Sequence, residues 1–333
     1  MSADVSGRRP ASAEATAKAT LEDLESASRT PEIEEFTNLR FIHPASRRLT
    51  LWFARIGVAP NLVSLTGMAC GILAGIAYFH YASWWGAPLG LALMIAWHIL
   101  DGSDGQLARL THRQSPFGKI IDGICDYVTF LSVYAGLGLA MAERLGPELW
   151  GLVALAGLAH VVQSAAYELQ RQEYDFWGHD KRSAELTRLE DLRARRGGPL
   201  HRLYVRYVQL QYLTSGGAVR LRERLAAVLA RHPEAQARIR ARYREVFAGP
   251  VRAWALLSSN YRTLGIFLGA VFGVPWLYFL WELVGFSLVM GWRIRAQRRH
   301  WHAFARFLDE FGAGTHDDGT ETRDPARETA GAH

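Results

Sequence analysis

Four aspartates stand within one stretch of 26 residues, Asp101-x2-Asp104-Gly105-x2-Ala108-Arg109-x8-Gly118-x3-Asp122-x3-Asp126. Carboxylates supply hard oxygen donors, which Mg2+ and Mn2+ prefer. The flanking chain is so apolar that it reads as bilayer-embedded, where an ionised side chain is costly. Four carboxylates gathered there need a compensating charge, most simply a divalent metal. Asp101, Asp104 and Asp122 suit ligation of one or two such ions, and Asp126 is a further candidate ligand. Arg109 carries a planar guanidinium fork that matches phosphate oxygens. Its bland alternative is a positive residue that only sets topology.

Helices account for the spacing. Asp101 and Asp104 are i,i+3 neighbours with Gly105 and Ala108 beside them, so the four share one helical face. Asp122 and Asp126 are i,i+4, with Gly118 one turn earlier. Between the groups, Ser115 is a good N-cap and Pro116 suits a first helical position, so a new helix is expected there. The expectation is a helical hairpin with carboxylates facing each other across it. Gly105, Ala108 and Gly118 then leave room beside the carboxylates for a flat or bulky ligand.

This stretch resembles the signature of the CDP-alcohol phosphotransferase (CDP-alcohol phosphatidyltransferase) family and matches it at every motif position. Upstream, Ala59-Pro-Asn-Leu-Val-Ser-Leu-Thr-Gly67 is similar to the family's first-helix opening, PNxxT…G, with Ser64 where Thr is commoner. The resemblance implies a transferase that moves a phosphatidyl or other phosphoalcohol group from a CDP-linked donor to a hydroxyl of a polar alcohol, releasing CMP. The donor implied is CDP-diacylglycerol, with the reverse arrangement, a CDP-linked small alcohol meeting a lipid hydroxyl, also open, and the setting is phospholipid biosynthesis. It also implies two Mg2+ or Mn2+ ions, Asp126 as general base, and a nucleotide site at Asn61, Ser64, Gly105, Ala108, Arg109 and Gly118. A homodimer is implied as well. The acceptor remains open, and Asn260, Arg262 and Thr263 are candidates to contact it, in a polar segment placed like the family's acceptor pocket. Arg262 is as readily a partner for Glu282, for which a structural role is favoured.

From Ile56 to Leu100 no Asp, Glu, Lys or Arg occurs. Those 45 residues suffice for two spans of roughly 20 residues each. The expected fold is all-α and integral to the membrane, with six transmembrane helices. These lie near 60–79, 84–100, 118–141, 149–166, 251–272 and 274–292. Arg47, Arg48 and Arg55 precede the first span, Arg109, Arg113 and Lys119 lie in the motif turn, and Arg293, Arg295, Arg298 and Arg299 follow the last. The opposite loops, near Tyr81–Trp85 and Glu143–Glu148, carry almost no excess positive charge. The positive-inside rule therefore puts both termini and the motif in the cytoplasm, consistent with a multi-pass protein of the bacterial cytoplasmic (inner) membrane.

Residues 39–169 form the first part of that core and 250–312 the second. A basic, amphipathic cytoplasmic insert, 170–249, lies between the fourth and fifth helices. It holds 17 Arg or Lys against 9 Asp or Glu. Leu200, Leu203, Tyr204, Tyr207 and Val208 make one face of a helix there. Arg238, Arg240, Arg242 and Arg244 stud another. Docking on anionic lipids fits this pattern, and a solvated helical cap fits it equally. The net charge of +6 flanks apolar spans, so lipid headgroups, and not nucleic acid, are the expected partner. Residues 1–38 and 313–333 are polar and read as disordered arms, with a short helix near Leu21–Leu24; the polar start argues against a cleavable signal peptide. Cys70 and Cys125 fall inside spans and indicate no disulfide framework. His80, His98 and His160 read as packed residues, since no partner spacing supports a metal.

Two other classes compete. A Mg2+-dependent aromatic prenyltransferase would also place Asp122-x3-Asp126 in a membrane, but leaves Ala108-Arg109 and Gly118 without a reason. A non-enzymatic divalent-cation transporter would spread acidic residues along its spans, whereas these gather at one end.

Overall fold

The computed structural model describes residues 30–181, 189–194, 197–214 and 219–317. Among them every regular element is helical. In chain order the helices are α1 (His43–Ile56), α2 (Pro60–Phe79), α3 (Gly86–Leu110), α4 (Pro116–Leu145), α5 (Leu149–His179), α6 (Leu189–Ala194), α7 (Pro199–Thr214), α8 (Val219–Arg231), α9 (Gln236–Arg252), α10 (Ser259–Val271), α11 (Pro275–Leu280) and α12 (Phe286–Asp317). These residues fall into two compact units. One comprises residues up to Ser164 with Ala255–Leu288, the other Ala165–Trp254 with Val289 onward.

Four stretches are long and apolar enough to cross a membrane: Pro60–Phe79, Ile120–Leu145, Leu149–His179 and Pro275–Phe311. They coincide with the first, third, fourth and sixth expected spans. The second expected span lies in α3, whose 25 residues reach about 37 Å at 1.5 Å per residue. Its polar end, from Asp101 onward, dilutes the apolar run. The fifth is not one helix. α9 ends at Arg252, a 3-10 turn covers Ala253–Leu257, and α10 has only 13 residues, about 20 Å against the roughly 30 Å of a bilayer core. Ser258 breaks the run with extended backbone and turns its hydroxyl to Glu35 (2.8 Å).

In the first unit α2 is the central helix and packs along both α3 and α4. Its glycines set the distances. Gly67 faces Trp97 and Leu100 of α3, while Gly71 and Gly75 lie against Thr129 and Ser132 of α4. A Cβ on Gly136 would strike the carbonyl of Gly75. Small residues thus let the two backbones touch, the usual device where no hydrophobic effect drives helices together. Gly136→Val should lower the thermal stability of the detergent-solubilised protein by about 1–3 kcal/mol or more, the cost of overpacking against backbone. An unchanged melting curve would mean that this contact is not part of the fold. Around the glycines, Tyr78, Met94, Trp97, Phe130, Tyr134, Leu137 and Phe279 fill the core.

The second unit has its own aromatic core of Tyr174, Tyr243, Phe247, Trp301 and Phe304, each buried. α5 runs to His179, beyond residue 169, where the membrane segment was expected to stop. A helix end leaves carbonyls without partners. Here Arg240 donates to the carbonyls of Phe176 and Trp177 (both 3.0 Å), and Arg244 to that of Gly178 (2.7 Å). Arg222 pairs with the buried Glu173. Three of the insert's arginines, Arg222, Arg240 and Arg244, are therefore engaged inside their own unit. Of the expected arms, residues 30–38 are folded: Glu35 is buried against Ser258 and Asn260. α12 continues to Asp317. The helix expected near Leu21–Leu24, and the tail beyond 317, lie outside the described residues, as do the side chains of Leu200 and Leu203.

Candidate functional site

Three helix ends meet at the aspartates. α2 starts at Pro60, whose fixed φ suits a first helical position. α3 ends at Leu110, and His112 takes a left-handed conformation (φ 52°) as the chain turns. α4 starts as the sequence predicts: Ser115 is extended, Pro116 follows, and the Ser115 hydroxyl accepts from the Gly118 N–H at 2.9 Å. The expected hairpin of α3 and α4 therefore forms, but it is splayed. α2 packs along both arms, and the carboxylates meet near the turn that joins them.

Asp101, Asp104 and Asp122 each direct a carboxylate oxygen to one place, all within 4.8 Å of one another. At an effective dielectric of about 20, two charges about 5 Å apart repel by roughly 3 kcal/mol. Three such groups stay together only if a cation or protons offset that repulsion. The donors are all carboxylate oxygens, with no thiol or imidazole among them. That set fits a hard divalent cation and disfavours a soft one. Asp104 is the buried member, and the Ser64 hydroxyl donates to its Oδ2 at 2.5 Å. Asp126, one turn beyond Asp122 on α4, adjoins Asp101 but lies outside the trio. Its Oδ1 is buried and accepts no hydrogen bond.

The small residues have neighbours as well. A Cβ on Gly105 would sit 3.4 Å from Nη1 of Arg109, so that guanidinium folds back over the glycine. A Cβ on Gly118 would lie 3.4 Å from Oδ1 of Asn61 and 3.2 Å from the Ser115 hydroxyl. Asn61, Ser64, Gly105, Arg109, Gly118 and the aspartates thus form one corner, with Ala108 partly exposed beside Arg109. Ser64 holds a carboxylate there, a more specific contact than the nucleotide contact expected of it.

The acceptor candidates are engaged elsewhere. Arg262 is fully buried. Its Nε donates to Glu282 Oε1 (3.1 Å), Nη2 to Gln163 Oε1 (2.7 Å), and Nη1 to the carbonyls of Leu257 and Ser258. Every nitrogen is committed within the protein, and the pairing with Glu282 is present. Thr263 bonds Nε2 of His98 (2.9 Å), one turn before Asp101, and Asn260 bonds Glu35, Thr37 and Asn38. His98 is buried and hydrogen-bonded, and the half-buried His160 bonds Tyr134 (2.9 Å). Neither belongs to the acidic cluster.

Sequence reasoning missed a buttress. α1 lies along α3 at the motif, where Ser46 donates to the Ile99 carbonyl (2.8 Å) and Thr50 to that of Ser103 (3.2 Å). A Cβ on Gly102 would stand 2.6 Å from the Ser46 hydroxyl. The signal was present in the i,i+4 pair Ser46 and Thr50 opposite the small pair Gly102 and Ser103.

An all-α core with several membrane-crossing helices and a carboxylate cluster at their meeting point defines a multi-pass membrane protein with an oxygen-donor site. Residues 57–186 match the model of the CDP-alcohol phosphatidyltransferase family, so the family resemblance carried by the motif is shown for this stretch. Among curated proteins, the chain is similar to an uncharacterized CDP-alcohol phosphatidyltransferase class-I family protein 2 of Dictyostelium discoideum, 31% identical over 28% of this chain and 24% of that protein. It is also similar to cholinephosphotransferase 1 of Gallus gallus, 31% identical over 27% of this chain and 28% of the relative. A third is phosphatidylinositol phosphate synthase of Mycolicibacterium smegmatis, 32% identical over 25% and 36%. The matched stretch spans between a quarter and about a third of these relatives' lengths.

Proposed function

We propose that this chain is a phosphotransferase of phospholipid biosynthesis, embedded in a bacterial cytoplasmic membrane with its site on the cytoplasmic side. In this reading it moves a phosphatidyl group from CDP-diacylglycerol to a hydroxyl of a polar alcohol and releases CMP. The observation that carries it is the convergence of Asp101, Asp104 and Asp122 within 4.8 Å, inside the stretch that matches the family.

Asp101, Asp104 and Asp122 would hold Mg2+ or Mn2+. When bound, such ions neutralise the donor's diphosphate and the charge developing on CMP. Ser64 fixes Asp104 by its hydrogen bond. Arg109 reaches phosphate oxygens with a fork suited to them, and Asn61, Gly105, Ala108 and Gly118 shape the nucleotide corner. The acceptor oxygen forms a bond to phosphorus as the bond to CMP breaks. Asp126 takes the hydroxyl proton in concert with attack, and its unbonded Oδ1 supports that role. The relatives' printed names include both choline and inositol phosphate chemistry, so the acceptor is set by experiment.

Purified protein incubated with labelled CDP-diacylglycerol, Mn2+ and a panel of alcohols tests the proposal. CMP and a new lipid should appear together. Pyrophosphate release from a prenyl donor, or metal flux into proteoliposomes without nucleotide, would favour the rival classes. Within this reading Ala108→Leu should fill the cytidine space. The donor KM should rise by about tenfold or more, with folding and insertion unchanged. An unchanged KM with lost thermal stability would make Ala108 a packing residue only.

A further inference from the structure

The start of α10 is held by side chains from several directions. Glu35 accepts from Ser258 and Asn260, while Gln163 of α5 and Glu282 take the Arg262 guanidinium. On the side of α3, Nε2 of His98 meets the Thr263 hydroxyl at 2.9 Å. All of these residues belong to the first unit. Thr263 is therefore an anchored post, because its neighbour Arg262 is fully buried with every guanidinium nitrogen engaged.

The tie falls beside the acidic cluster. His98 stands three residues before Asp101, so the two share one stripe of α3, with Cβ atoms about 5–6 Å apart. From α1, the hydroxyls of Ser46 and Thr50 hold the carbonyls of Ile99 and Ser103. α3 is thus gripped from two elements across the residue that carries the first carboxylate. His98 and Thr263 are both buried, and burying polar groups costs more than burying an apolar pair of similar shape. What the polar pair adds is direction. Dispersion contacts between apolar helices tolerate sliding, whereas a hydrogen bond has a length and an angle, and a satisfied buried network specifies one arrangement. Asp101 needs that constraint. Its carboxylate must converge with those of Asp104 and Asp122 within 4.8 Å despite their repulsion, and metal–ligand distances tolerate only about 0.2 Å. We propose that His98 and Thr263 are positioning residues, whose hydrogen bond fixes the register and rotation of α3 and so sets where Asp101 presents its carboxylate. The proposal rests on the reading of the three aspartates as a divalent-metal site.

The test titrates Mn2+ by electron paramagnetic resonance into the full chain in one detergent, beside thermal unfolding. Thr263→Val keeps the shape and removes the hydroxyl, leaving His98 buried without its partner. Stability should fall, and Mn2+ should bind about tenfold more weakly, the low end of what losing an outer support costs a metal site. Thr263→Ser keeps the hydroxyl and should bind Mn2+ as the wild type does. His98→Leu combined with Thr263→Val separates positioning from packing. Replacing both partners by apolar groups is nearly neutral for stability, so this variant should unfold close to wild type yet still bind Mn2+ about tenfold more weakly. Recovery of Mn2+ affinity together with stability in the double variant would mean that the bond only satisfies buried atoms, and would overturn the proposal. So would unchanged affinity in Thr263→Val, or a loss in Thr263→Ser as severe as in Thr263→Val. Either the single or the double variant decides if the other does not fold. A wild-type chain that binds no Mn2+ would instead sink the metal reading, and this proposal with it.

Discussion

Asp104→Asn and Asp126→Asn should each lower turnover by at least about 10²-fold, the scale of a lost general base or more, and they should do so for different reasons. Asp104 belongs to the trio whose oxygens lie within 4.8 Å of one another, and Ser64 fixes it. Losing its charge should weaken Mn2+ binding and, through it, binding of the CDP-donor. The amide also presents an N–H2 group where Ser64 requires an acceptor or the metal a donor oxygen. Asp126 stands outside the trio with an unbonded Oδ1. Its amide is nearly isosteric, so Mn2+ and donor affinity should stay near wild type while the proton has nowhere to go. Direct Mn2+ titration by electron paramagnetic resonance, beside the activity assay, separates the two. If Asp126→Asn loses Mn2+ as severely as Asp104→Asn, Asp126 is a ligand and the base lies elsewhere. If it keeps full turnover, the general-base assignment fails.

The aspartate corner was legible because its parts are local. Ser115 and Pro116 announce a helix start by chemistry that acts within one turn, and Asp101 and Asp104 share a face by periodicity alone. The partner of each face was not legible. Gly71 and Gly75 signal a close approach, but nothing in their spacing names α4, and the hairpin therefore read as tighter than the α2-wedged arrangement. The fifth span failed for a related reason. Hydropathy averages over a window, so a break at Ser258 that depends on Glu35, more than 200 residues away, leaves no trace in it. Composition left the insert open between lipid docking and a solvated cap. Seventeen basic residues describe a charge without a direction, and Arg240 and Arg244 turn inward because the end of α5 exposes carbonyls beside them. Ser64 was found as a motif position, whereas its contact with Asp104 required the register of α2 against α3.

Removing either partner of the Arg262–Glu282 pair should destabilise the protein by about 3–5 kcal/mol, because the survivor is left charged and buried. Both side chains are fully buried, and the network around them is nearly complete. Glu282 accepts from Arg262 on Oε1 and from the Tyr278 hydroxyl on Oε2 (2.7 Å). Tyr278 meets Tyr134 (3.0 Å), which meets His160. Glu282 also sits in a π-helical turn, Trp281–Gly285, and its backbone carbonyl is taken by Gln163 (3.0 Å). Arg262→Lys should not rescue, since an ammonium cannot present the fork that Glu282, Gln163 and the Leu257 carbonyl engage together. Arg262→Met with Glu282→Leu should cost clearly less than the sum of the singles, because no lone charge remains. Thermal unfolding of the four proteins in one detergent completes the cycle, and additive losses would show that the pair is not coupled. The same variants settle what Arg262 does for the reaction. A residue that only braces the fold leaves the acceptor KM of the folded fraction unchanged. A raised acceptor KM in folded Arg262→Met would restore the acceptor contact that the buried network argues against.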